Sequence, residues 1–171
     1  MSLLNVSSIL TFCINEASLT QFYITDTNTL KYKFKVKISV KNPHKHIKIY
    51  YDTITAIALY KDNEFARASL ALPFEQGHKN TTFLEAKEFE GESLINLEPK
   101  QLAEYYNETL AGVYNDLAVD LVLQVRYKYR RIRSTRLRPR TVKFHLLRVP
   151  LTGECESTTP CNMCESGDLI Y

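Results

Sequence analysis

The chain has 171 residues, 44% of them hydrophobic and 24% charged, with a formal net charge of +3 at pH 7. That length suits one domain burying roughly 70% of its unfolded surface, and the balance of apolar to charged residues excludes a wholly disordered chain. The net charge is too small to imply nucleic-acid binding by itself, and the lack of any run of about twenty apolar residues excludes a membrane-spanning helix within these residues.

Met1 to Leu10 lack the basic start and continuous apolar run of a signal peptide. Ile9–Asn15 and Leu19–Thr25 read as short strands parted by Glu16-Ala17-Ser18, and Asp26-Thr27-Asn28 as a turn. Leu30, Tyr32, Phe34, Val36, Ile38 and Val40 then alternate with Lys31, Lys33, Lys35, Lys37, Ser39 and Lys41. Period two sends the apolar set to one face of a strand and the lysines to the other. Each large apolar side chain gains roughly 1.5–3 kcal/mol on burial, so a one-residue slip is prohibitive and the register is fixed. Pro43 lacks an amide donor and biases Asn42 away from helix, which stops the ladder; Ile47, Ile49 and Tyr51 resume it up to Asp52.

Thr53–Tyr60 and Phe65–Phe74 are the next predicted strands, joined by a hairpin loop at Lys61-Asp62-Asn63-Glu64. Thr81–Phe89 and Ser93–Leu97 follow. One helix is predicted between Pro99, which suits a first helical position, and Gly112, which suits a left-handed cap. Its apolar stripe is read as Leu102, Tyr106, Leu110 and Val113, and Asn107 falls about 140° around from Leu102, on the exposed side. Leu117, Val119, Leu121, Leu123, Val125, Tyr127 and Tyr129 share one strand face, as do Val142, Phe144 and Leu146. Many strands with a single helix predict a mainly β fold, an antiparallel β-sandwich of the fibronectin III or immunoglobulin-like kind with about seven or eight strands. Residues 1–151 form that domain, and the Gly-, Ser-, Thr- and Cys-containing residues 152–171 are read as a weakly structured tail.

The basic run Arg126, Lys128, Arg130, Arg131, Arg133, Arg136, Arg138 and Arg140, centred on Ser134-Thr135, reads as a cationic hairpin. Such a hairpin is either a solvated, aggregation-resistant edge or a docking surface for acidic polysaccharide, anionic lipid or an acidic protein. No aromatic stacking platform accompanies it, which argues against nucleic acid. Cys155, Cys161 and Cys164 suit a tail disulfide in an oxidising compartment; Cys161-Asn162-Met163-Cys164 lacks the second pair a structural zinc needs, and Cys13 reads as a small core residue. His44, His46 and His78 read as solvated loop residues, with no metal or other cofactor expected. No nucleophile elbow, phosphate-cradling glycine loop or paired-carboxylate motif is present, so a non-catalytic protein is expected. Asn5, Asn80 and Asn107 head glycosylation acceptor triplets.

Asn42-Pro43-His44-Lys45-His46-Ile47-Lys48-Ile49-Tyr50-Tyr51-Asp52 resembles the Asn-Pro-Asn-Lys-Arg-Ile-Gly-Ile-Tyr-Tyr-Asp signature of plant harpin-induced-like proteins, which carry a late embryogenesis abundant subgroup-2 domain. Ala17-Ser18-Leu19-Thr20-Gln21-Phe22, Pro73-Phe74-Glu75-Gln76-Gly77-His78-Lys79-Asn80-Thr81-Thr82 and Val149-Pro150-Leu151 are similar to further pieces in the family's order. Departures are His44 and His46 for Asn and Arg, Glu75 for Tyr, and the missing glycine after Tyr127-Lys128. The resemblance implies a motif loop of Asn42, Pro43, Tyr50, Tyr51, Asp52, Gln76, Gly77, His78, Lys79 and Asn80. It further implies the extracytoplasmic domain of a plasma-membrane protein, held there by a segment preceding this one, that acts in plant defence or stress through protein or cell-wall contacts. A folded water-stress protectant is the alternative.

Overall fold

A computed structural model describes residues 9–70, 73–84, 87–129, 131–133, 139–146, 148–151 and 163–168. The strands are β1 (Ile9–Ile24), β2 (Thr29–Lys41), β3 (Ile47–Tyr60), β4 (Asn63–Ser69), β5 (Phe74–Gln76), β6 (Thr81–Phe83) and β7 (Lys87–Leu94); the helix α1 (Pro99–Ala111) follows. After it come β8 (Val113–Tyr114), β9 (Leu117–Tyr129), β10 (Ile132–Arg133), β11 (Arg140–Leu146), β12 (Val149–Pro150) and β13 (Met163–Asp168). One antiparallel sheet runs β13-β1-β2, with β6 and β7 sharing the free edge of β2. The other has β9 and β3 at its centre; β10 and β11 share one edge, and β4 and β5 the other. A small β12-β8 pair closes one end.

The lysine alternation behaves as its period dictates. Leu30, Phe34, Val36, Ile38 and Val40 are buried, and Lys31, Lys33 and Lys37 make ion pairs outside with Glu92, Glu88 and Glu16 at 3.4, 3.3 and 3.0 Å. The two sheets meet through rings: Phe22 lies 4.9 Å from Tyr60 and 5.9 Å from Phe65, while Tyr32 lies 5.1 Å from Phe65. Edge-on aromatic contacts of this kind add to what burial alone supplies.

Several boundaries differ from those predicted, for one physical reason. β1 is a single strand because bulges between Ile14 and Glu16 and between Leu19 and Gln21 absorb the polar interruption, and a bulge between Tyr51 and Thr53 likewise joins two predicted strands into β3. The number of strands exceeds seven or eight because the edge partners of β2, β3 and β9 are each broken in two. Of the predicted tail, the described part is β13, which pairs with β1 from Ile9↔Asp168 to Ile14↔Met163.

The helix has the predicted ends, with Gly112 at φ 72° and its N–H donating to the carbonyls of Glu108 and Thr109. Its docked face is only partly the predicted one: Leu102 of the predicted stripe packs against the core. Tyr105 and Glu108 are buried, whereas Tyr106 and Leu110 are 59% and 87% exposed. Tyr105 docks because its hydroxyl accepts the Ile24 N–H at 2.8 Å, and Glu108 because Tyr60 and Lys61 bind its carboxylate. Polar complementarity thus outweighed the apolar stripe.

Candidate anion-binding site

Two polar constructions interrupt the otherwise apolar interior. The first fastens α1 to the β3–β4 turn. Tyr60↔Asn63 pairing leaves Lys61 and Asp62 as a two-residue loop, both at positive φ (49° and 65°), the geometry of a type I′ turn. Lys61 is buried there, and its ammonium donates to Glu104 and Glu108 at 3.0 Å and to Asp116 at 3.1 Å. An ammonium has three donors, so this one is fully used and offers nothing to a ligand. Burial lowers its pKa, but the three carboxylate bonds outweigh that and push it up to about 12.

The second construction joins the segments predicted as the motif loop. Asn42 is fully buried and donates through Nδ2 to the carbonyls of Ile47 (2.7 Å) and Gly77 (3.1 Å), while its Oδ1 accepts the His44 N–H. Gln76, also fully buried, accepts the Tyr51 hydroxyl at 2.7 Å and donates to the carbonyls of Val40 and Asn80. Backbone bonds from Asn42 to Asn80 and from Lys79 to His44 complete the latch. Burial raises the Tyr51 phenol and lowers the His44 imidazole, each disfavouring its charged form.

The latch fixes the outer surface above it. His46, Lys48, His78 and Lys128 line an open basin of about 180 Å³. Lys48 and Lys128 are directly opposite across β3 and β9, which places them on one face, and Arg133 holds the register position beyond Lys128. At the rim Arg126 pairs with Asp52 at 3.0 Å and lies 5.9 Å from the centre of the Tyr50 ring. Lys48 is 3.5 Å from Glu75, and the His46 ring meets Tyr129 edge-on.

The structure therefore divides the predicted residues. Asn42, Tyr51 and Gln76 are interior, and Gly77 lends them its carbonyl. His78 lines the basin, Tyr50 and Asp52 each meet Arg126, and Pro43, Lys79 and Asn80 are exposed. Of the basic run, Lys128 lines the basin and Arg126 lies two residues before it on β9; Arg131 precedes β10 and Arg133 lies on it, while Ser134-Thr135 lie outside the described residues. Arg140 begins β11. Arg130, Arg136 and Arg138 lie outside the described residues, as do Asn5, Cys155 and Cys161; of Cys164 the backbone alone is described. Asn107 is exposed on α1.

Cys13 is not a buried core residue. It sits on the outward-alternating face of β1, is disulfide-bonded, and is opposite Cys164 in the register with β13. Sequence reasoning set aside His46 and Lys48; the signal was the alternation itself, which puts 46, 48 and 50 on one face. Among the described residues no three His, Cys, Asp or Glu side chains gather as a metal would require.

Comparison with known proteins adds three findings. Residues 37–142 match the family model described as late embryogenesis abundant protein. The chain is 37% identical over 149 residues to NDR1/HIN1-like protein 10 of Arabidopsis thaliana, covering 86% of this chain and 64% of that protein. It is 32% identical over 146 residues to NDR1/HIN1-like protein 3 of the same plant, covering 85% and 62%. It thus spans a little over three-fifths of these relatives' own length. A solved protein from Archaeoglobus fulgidus matches at 11% identity over 77% of this chain and 96% of its own, with a TM-score of 0.30, too low for anything to follow from it.

Proposed function

Because the chain belongs to the late embryogenesis abundant protein family, we propose that it is a non-catalytic recognition domain of a plant stress- or defence-related protein. It works on the extracytoplasmic side of the plasma membrane, through contacts with protein or cell-wall partners. The likeness to NDR1/HIN1-like proteins supports the stress and defence setting. The observation that carries the placement is the disulfide at Cys13, because disulfides persist in secreted and cell-surface proteins and are rare in the reducing cytosol. Exposure of Asn80 and Asn107 suits glycosylation in the same compartment. Among the described residues no helix is long and apolar enough to cross a bilayer, so membrane attachment is assigned to a segment outside them.

The test is to express the tagged gene product in leaf cells, treat intact cells with a membrane-impermeant label, and map thiols and glycans on the recovered protein. Labelling from outside, an oxidised Cys13 and a glycosidase-sensitive mass at Asn80 or Asn107 support the proposal. A protein refractory to the label, with Cys13 as a free thiol, overturns it.

A further inference from the structure

We propose that the basin lined by His46, Lys48, His78 and Lys128 binds the carboxylates of an acidic polysaccharide, a polyuronate chain. This deepens the reading above, since such a chain is met outside the cell, but binding in solution tests it independently of where the protein resides.

Three observations carry it. Lys48 and Lys128 face each other directly across β3 and β9, an arrangement that costs stability because like charges repel at that spacing. Lys128 makes no ion pair among the described residues, and Lys48 is relieved by Glu75 alone, at 3.5 Å. On the other sheet the lysines of β2 are met by acidic residues of β7, Lys31 by Glu92 and Lys33 by Glu90 and Glu88. Of these two rows, the one at the basin is the one that sets like charges face to face, and an entering anion relieves that repulsion.

The second observation is shape. The space is concave and about 180 Å³, suited to one charged group and its ring; the latch of Asn42 and Gln76 fixes its walls.

The third is the rim, where Asp52 and Glu75 carry negative charge beside the cations. A dense anionic plane such as a lipid surface brings charge against those carboxylates. A polyuronate spaces single carboxylates between uncharged ring faces, and the Tyr50 ring, flanked by Arg126, offers an apolar surface for such a face. The chemistry is reversible ion pairing, with no bond made or broken.

The experiment titrates the full chain with a decamer of galacturonate at low ionic strength, beside inorganic phosphate and vesicles of phosphatidylcholine containing phosphatidylserine. The decamer should bind, and Lys128→Glu or His78→Ala should weaken it about tenfold, the scale of losing one charge-assisted hydrogen bond. Glu75→Gln releases Lys48 and should tighten binding about threefold, the scale of an exposed ion pair; a gain cannot come from misfolding. Lys35→Glu, the same charge change on the opposite sheet, should leave affinity unaltered, and Lys128→Glu should not lower Tm. The proposal is overturned if the decamer does not bind, if Lys35→Glu weakens binding as much as Lys128→Glu, or if vesicles or phosphate bind and the decamer does not.

Discussion

Tyr60 donates a 2.6 Å hydrogen bond to Oε1 of Glu108, and the next residue, Lys61, holds Oε2 of the same carboxylate at 3.0 Å. Glu108 is 7% exposed, so its carboxylate depends on protein partners for the hydrogen bonds that water would otherwise supply. Lys61→Met leaves it buried and uncompensated. The expected cost is roughly 3–5 kcal/mol, the usual result of removing one member of a buried pair, read from urea denaturation. Glu104→Gln should cost far less, because Glu108 and Asp116 still hold the ammonium.

The same network sets an alkaline limit. Lys61 has its pKa raised from 10.5 to about 12, a folded value above the unfolded one. Its contribution of about 2 kcal/mol is therefore complete below the unfolded value and lost as pH rises through the folded one. Burial raises Tyr51 and Tyr60 well above 10.0 as well, with the same sign. The urea midpoint should fall steadily above pH 10, and Lys61→Met should flatten the part of the decline between about 10.5 and 12. Parallel curves for the two proteins would remove Lys61 as its source.

At acid pH the relevant group is His44, which burial lowers from its ordinary 6.5. A depressed folded value means the stabilisation is present above pH 6.5 and lost as pH falls through the folded pKa. His44→Asn preserves a short polar side chain without a titrating group. The variant should lose the acid-side decline in midpoint that the parent shows between pH 7 and 5, and an unchanged decline would assign it to other groups.

The latch predicts a coupled loss. Asn42→Ala deprives the carbonyls of Ile47 and Gly77 and the amide of His44 of their partner. Buried unsatisfied groups cost about 1–3 kcal/mol each; partial rearrangement should leave a net loss of roughly 2–4 kcal/mol in denaturant titration. Because the same bonds hold the wall carrying His78, decamer binding should weaken in the variant even where it is fully folded.

Legibility in the sequence followed the kind of force involved. The strict alternation of β2 specified its inward face because hydrophobic burial is periodic and local. The ends of α1 were legible because Pro99 and Gly112 act through their own backbones. The helix's rotation was not, because Tyr105 and Glu108 are selected by Ile24, Tyr60 and Lys61, which are distant in sequence. β13 was hidden in a polar stretch because its pairing with β1 is made by backbone groups that any residue carries. The basin was half legible: the basic run was evident, but its meeting with His46 and His78 depends on β3–β9 register and on two buried amides.

The outward lysines of β2 offer the last test, because their role is specificity more than strength. Lys31, Lys33 and Lys35 are opposite Glu92, Glu90 and Glu88 in the β2–β7 register. Exposed pairs contribute little singly, and salt screens them; like charges placed directly opposite repel. Single alanine substitutions should therefore barely move the urea midpoint. The triple change Lys31→Glu, Lys33→Glu and Lys35→Glu should lower it by more than the sum of the single charge reversals. Adding Glu88→Lys, Glu90→Lys and Glu92→Lys to that triple variant should restore the midpoint, and high salt should erase most of the difference. If the reciprocal exchange fails to restore it, the β2–β7 register is held by Phe34 against Phe89 and the core alone, and the charge rows have no part in it.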